Sequence, residues 1–170
     1  MQTQTIASPA TEQIINLITK AWAAQNKRVS DFFDKYSDDA YLNEIAPGRN
    51  RAIYLLGHLT AINDALLPLF GFGEKLFPEL EEPFLTNADK TNAAFPSLTE
   101  LKQYWQTVNT TLTAHFNKLT SEEWLDKHTA VSAEDFAINP ERNRLNVLIG
   151  RTNHQSYHLG QLNLLRVKVE

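Results

Sequence analysis

Between residues 9 and 166 the apolar positions recur every three or four residues in four stretches, divided by proline, glycine and short polar runs. The first stretch follows Ser8-Pro9, a capping residue and a proline suited to the opening turn. Ile14, Leu17, Ile18, Ala21, Trp22, Val29, Phe32, Phe33 and Tyr36 then mark about seven helical turns, which Ser37-Asp38-Asp39 ends. A second helix is expected from Asn50, with Tyr54, Leu55, His58, Ala61, Ile62, Ala65, Leu66 and Leu69 on its inner stripe. Pro68 and Gly71-Phe72-Gly73 close it. A long connection, roughly Gly71 to Pro96, contains Pro78 and Pro83; such loops serve as lids or as ordered structural segments. Ser97-Leu98-Thr99-Glu100 is a capping box that starts a third helix, whose inner face carries Leu101, Trp105, Val108, Leu112, Phe116 and Leu119. A second box, Thr120-Ser121-Glu122-Glu123, predicts a short turn around Trp124. The fourth helix is expected from between Asn139-Pro140 and Asn143 to about Arg166, through Leu145, Val147, Leu148, Leu159, Leu162 and Leu165.

No stretch alternates with the period of a strand, and no repeat is visible. The pattern therefore predicts an all-α fold, a four-helix bundle in one domain spanning residues 1–170, with its long connection between helices 2 and 3. The balance of 20 acidic against 16 basic residues leaves no electrostatic footprint for nucleic acid. Zero cysteine excludes a disulfide framework, a thiolate metal site and a cysteine nucleophile. Met1 to Pro9 has no apolar core of a signal peptide, and runs such as Ala65 to Phe70 are short for a membrane span. A cytoplasmic protein with no membrane partner is the expectation.

Against this plain background, histidine is the informative residue. His58 is the one polar member of the second helix's stripe, and His154 and His158 stand four apart in the last helix. At about 100° per residue, with His154 at zero, His158 falls near 40°, Leu165 and Val147 near 20° and Leu162 near 80°. The pair thus shares its sector with core residues. Imidazoles one turn apart reach a single ion, as in helical H-x-x-x-H zinc sites, although Gln155 stands where a metalloprotease would carry glutamate. A shared divalent ion (zinc, nickel, copper or iron) and histidines satisfied by hydrogen bonds in the core are both compatible with the spacing.

The flanking residues add information. His154-Gln155-Ser156-Tyr157-His158-Leu159-Gly160-Gln161-Leu162, with Leu55-Leu56-Gly57-His58-Leu59 before it, resembles the DinB/YfiT-like family. That family carries a histidine in a G-H-hydrophobic setting on helix 2 and H-x-x-x-H-x-G-Q-hydrophobic on the last helix. The resemblance follows helix order over nearly the whole chain, while its specific content sits in about fifteen residues. One departure is Leu159, a position that is often basic in the family. The resemblance implies an up-down-down-up bundle, a homodimer, and a divalent ion, nickel or zinc, held by His58, His154 and His158. It also implies one of two activities, hydrolysis or transfer of a low-molecular-weight thiol of the bacillithiol or mycothiol type, on a small-molecule substrate.

Three neutral ligands leave an ion its full charge and at least one open position, the stoichiometry of a catalytic site. That position serves equally to activate water or to keep a thiol deprotonated. A bundle that binds a ligand or metal without turnover is the alternative. On the wheel, Gln161 (about 340°) is placed to orient a ligand ring, Tyr157 (about 300°) to offer a phenol, and Arg151 (about 60°) to attract an anion. Each has a plain reading too: an interhelical hydrogen bond, aromatic packing and a snorkelling cation. Gly57 and Gly160 are expected to let helices approach beside the site. His115 is a remote candidate for a fourth ligand, and His128 is read as solvated.

Overall fold

The structure, a computed structural model, describes residues 8–91, 94 and 96–166. The expectation of no signal peptide rests largely on residues 1–7, and those, with residues 92, 93 and 95 of the long connection and 167–170, lie outside the described residues. Among the described residues there is no strand, and the fold is all-α. Its helices are α1 (Pro9–Phe33), α2 (Ala52–Asp64), α3 (Leu66–Phe70), α4 (Leu98–Phe116), α5 (Ser121–Leu125), α6 (Ala133–Ile138) and α7 (Arg144–Leu162).

Caps chosen by the sequence set most of the ends. Ser8 accepts from the Thr11 N–H, Asn143 from the Asn146 N–H, and both capping boxes form with reciprocal hydrogen bonds at Ser97–Glu100 and Thr120–Glu123. Three boundaries differ from the pattern. α1 stops at Phe33 and α7 at Leu162, each short of the expected end. α2 begins at Ala52 rather than Asn50, because the carboxylate of Asp89 accepts the N–H of its cap residue Arg51 at 2.7 Å. A remote acid thus takes the place of a local cap. The second stretch also breaks at Ala65. Pro68 has no N–H, and its ring excludes the carbonyl of residue 64, so a continuous helix through both is not available. The short α3 resumes and ends at Gly71, one of the residues expected to close the helix, with a left-handed φ of 78°.

α1 packs along α7, α7 meets α2, α2 packs along α4, and α4 meets α1. Rising positions on α1 meet falling positions on α4: Trp22 with Phe116, Ser30 with Trp105 and Asp34 with Lys102. Similarly Asn63 of α2 contacts Gln155 of α7, while the earlier His58 contacts the later His158. Both pairs are antiparallel.

The expected stripe on α2 is replaced by burial on nearly every side. α4, α7 and the turns Pro78–Leu80 and Glu82–Thr86 all cover this helix. By composition Ala52–Phe70 is apolar enough to cross a membrane, but 72% of it is buried within the protein. Its polar residues are partnered internally. Asn63 donates to Asn109, Gln155 donates to Asn63, and Asp64 accepts the N–H groups of Leu76 and Phe77, each at 2.9 Å. On α1 the buried line is Ile15, Trp22, Val29, Phe32 and Phe33, with Ile14 and Leu17 exposed, against expectation. Trp22, Val29, Phe32 and Phe33 lie on the expected face, with the Trp22 ring packed on Phe116 of α4, and it is Ile15 rather than Ile14 or Leu17 that extends this face toward the N-terminus.

The nearest neighbour of Gly57 is not in a facing helix. A Cβ there would stand 2.2 Å from the ring of Phe84, in the turn after Pro83, whereas a Cβ at Gly160 would meet nothing within 4 Å. The role expected of Gly160 is therefore not found. Gly57→Ala should lower the unfolding free energy by about 1–3 kcal/mol through overpacking, while Gly160→Ala, at an open helical position, should raise it by up to about 1 kcal/mol. Denaturant midpoints of the two variants check this pair; equal effects would contradict the role given to Phe84.

Candidate metal centre

α2 presents His58 toward α7, and α7 presents His154 and His158 one turn apart toward α2. The Nε2 of His154 lies 3.3 Å from Nε2 of His58 and 3.0 Å from Nε2 of His158. One ligating atom from each ring lies within 4.8 Å of the other two, and the three residues are half-buried.

The outer nitrogens fix how these rings face. His58 Nδ1 is 2.9 Å from the carbonyl oxygen of Phe84. A carbonyl only accepts, so Nδ1 carries the proton, and neutral His58 presents a bare Nε2 lone pair. His158 Nδ1 is 2.8 Å from Gln161 Oε1, and the amide's Nε2 donates to Tyr157 Oη at 3.0 Å. The same logic leaves His158 with a bare Nε2. His154 lies between them, its own Nδ1 buried without a partner. If its Nε2 carries the proton, it satisfies one neighbour and leaves the other lone pair facing it. If Nδ1 carries it, three lone pairs converge. Neither proton placement satisfies the cluster, and a cation at its centre satisfies all three nitrogens. Two nitrogens bound to one ion at about 2.0–2.1 Å stand roughly 3 Å apart, close to the spacing found here. The residues fit a divalent metal.

Electrostatics agree with neutral ligands. Burial, followed by the neighbouring imidazoles of His158 and His58 and by Arg151, pushes His154 down to about 4. Burial also lowers His158, partly offset by its hydrogen bond to Gln161. The charged groups acting on these two rings are histidines and Arg151; no carboxylate is among them. Arg151 is half-buried, and its Nε has no hydrogen-bond partner among the described residues. Desolvation alone lowers its pKa, with no acid to offset it.

The other residues singled out by sequence fall into place unevenly. Gln161 and Tyr157 join the centre as a chain from His158 outward, with the Tyr157 side exposed to solvent. His115 stacks on Phe72 at 4.5 Å between ring centroids and is no part of the cluster. His128 is half-buried rather than solvated, with its Nδ1 unpartnered and its pKa lowered by burial and by Arg142, Arg144 and Lys127.

Sequence reasoning missed the supports behind His58. Phe84 contributes a backbone carbonyl, which no side-chain motif announces. Its segment is held at one end by Asp64 and at the other by the Arg51–Asp89 ion pair at 2.7 Å, with Tyr54 donating to the Asn87 carbonyl between them. The buried amides of Gln155, Asn63 and Asn109 were missed as well, although the polar Asn63 inside an apolar helix was a usable signal.

A family model described as the DinB superfamily matches residues 18–162, a span that contains all three histidines and runs from within α1 to the end of α7. No curated protein matches the chain.

The lowered pKa of His154 has a defined consequence for the metal-free protein. The unfolded chain takes up a proton near pH 6.5, whereas folded His154 resists it down to about 4. As pH falls through this window the unfolded state binds more protons, so stability drops; above it, this residue contributes no pH dependence. Urea midpoints at several pH values should show a steeper acid loss in the unsubstituted protein than in His154→Gln. Parallel curves would contradict the buried, neutral ring.

Proposed function

Because the chain belongs to the DinB superfamily, we propose that it is a metal-dependent enzyme whose three histidines hold one divalent ion, nickel or zinc, and leave a coordination position open to a small anionic substrate. The observation that carries this reading is the convergence of three Nε2 atoms whose outer nitrogens are fixed by Phe84 and Gln161. When bound, the ion supplies a charge that holds a thiol or a water in its deprotonated form at neutral pH.

Within this reading each side chain has a task. The Phe84 carbonyl and Gln161 Oε1 hold His58 and His158 in the tautomer and orientation that ligation needs. Arg151, a half-buried guanidinium without a hydrogen-bonded Nε, attracts the negative end of a substrate. Tyr157 accepts from Gln161, so its own hydroxyl proton remains available to a bound molecule. Transfer of a low-molecular-weight thiol and hydrolysis both fit this reading, since an ion that deprotonates a thiol or a water relieves either reaction of the need for a protein base. An up-down-down-up order of α1, α2, α4 and α7 in a single domain over residues 1–170 belongs to the same reading and is supported by the two antiparallel pairs. A homodimer is supported by Ile14 and Leu17, which leave apolar surface on the outside of α1.

Untagged protein should contain about one nickel or zinc per chain by elemental analysis, and His154→Ala or His158→Ala should lose it. Arg151→Met should keep the metal and raise KM for anionic thiol acceptors by about tenfold or more. Metal-free protein after expression in metal-supplemented medium would overturn the site. Full metal with no turnover on thiol acceptors or esters would overturn the enzymatic reading and favour a ligand-binding bundle.

A further inference from the structure

Gln155 stands beside His154, where a metalloprotease would carry a glutamate base, yet its side chain is turned to another helix. It is fully buried, and its Nε2 donates to Oδ1 of Asn63 on α2 at 3.2 Å. Asn63, equally buried, donates in turn to Oδ1 of Asn109 on α4 at 2.8 Å, and Asn109 donates to the Trp105 carbonyl at 2.8 Å. The indole of Trp105 carries the line on to Ser30 of α1 at 3.0 Å. One line of hydrogen bonds thus touches α1, α2, α4 and α7.

The direction of this line is set from one end. A carbonyl only accepts, so Asn109 turns its Nδ2 to Trp105 and its Oδ1 to Asn63. That choice orients Asn63, and Asn63 orients Gln155. As stabilising contacts the three amides are poor. Gln155 Oε1 is buried without a partner among the described residues, and apolar side chains of similar size would serve the core as well. What the amides supply is a single rotational setting of α7 against α2 and α4.

The ligand geometry needs that setting. His58 lies on α2 and His154 and His158 on α7, so any turn of α7 changes the distances between the rings. Rotation by about 20° would carry an imidazole tip, at a radius of about 6 Å, through about 2 Å. That displacement equals a whole metal–nitrogen bond of about 2.0–2.1 Å. Asn63 stands about 7.5 Å beyond His58 along α2, so the amide tie and the histidines join the same two helices at separate points.

We propose that Gln155 is a positioning residue, which through Asn63 and Asn109 sets the rotation of α7 so that His154 and His158 meet His58 around one ion. This role rests on the reading of those histidines as ligands.

Zinc and cobalt(II) titrated into the metal-free, full-length protein test it. Gln155→Met, which keeps the reach of the side chain without its amide, should weaken zinc binding by about tenfold or more and alter the d–d spectrum of bound cobalt(II). Asn109→Leu should weaken zinc by a smaller factor, although the hydrogen bonds of Asn109 reach neither α7 nor the histidines. Replacing the whole line, as Asn63→Leu with Asn109→Leu and Gln155→Met, should keep the urea midpoint level or raise it while zinc affinity stays down by about tenfold or more. Leu112→Ala, a truncation of the buried core off this line, should lower the midpoint and spare the affinity. Gln155→Met and Leu112→Ala decide the matter by themselves if the triple variant does not fold. Zinc affinity unchanged in Gln155→Met, or falling with stability alike in Gln155→Met and Leu112→Ala, would overturn the positioning role alone. Absence of zinc binding by the unsubstituted protein would overturn the ligand reading and this role with it.

Discussion

The arrangement depends on which nitrogen of each imidazole carries its proton. Fixing Nδ1–H at His58 and His158 turns two lone pairs inward, and His154 completes a cluster that no distribution of its own proton satisfies. Hydrogen bonds alone would hold a histidine triad if donors and acceptors alternated. Here they do not, so the cluster is a poor core and a good cation site.

Much of the surrounding architecture follows from holding the Phe84 carbonyl in place. The turn after Pro83 lies on α2 because position 57 has no Cβ, and Tyr54, Asp64 and the Arg51–Asp89 pair pin the chain on either side. Asp89 is 2% exposed at its side chain, yet four hydrogen bonds from Arg51 and one from the Lys90 N–H hold its carboxyl below the usual range despite burial. Residues 76–89 of the long connection thus act as a structural brace behind His58, the second of the two roles its length allowed.

Parts of this were legible in the sequence because the signals are local. Capping boxes at Ser97 and Thr120, the helix stop at Gly71 and the four-residue spacing of His154 and His158 depend on neighbours within one turn. His58 was recognisable as a polar residue among apolar ones, and Gln161 as a neighbour of His158 on the wheel. What escaped depends on distant contacts. The Asp89 cap of α2 spans 38 residues, and the Phe84 carbonyl has no side-chain signature. The apolar density of α2 signalled burial but not which elements would cover it.

The central claim is that three ring nitrogens share one ion. X-ray absorption at the metal edge of untagged, metal-loaded protein reads this directly. The account predicts three imidazole nitrogens at about 2.0–2.2 Å, falling to two in His58→Ala. A first shell with fewer than two imidazoles, or one unchanged by that substitution, would contradict it.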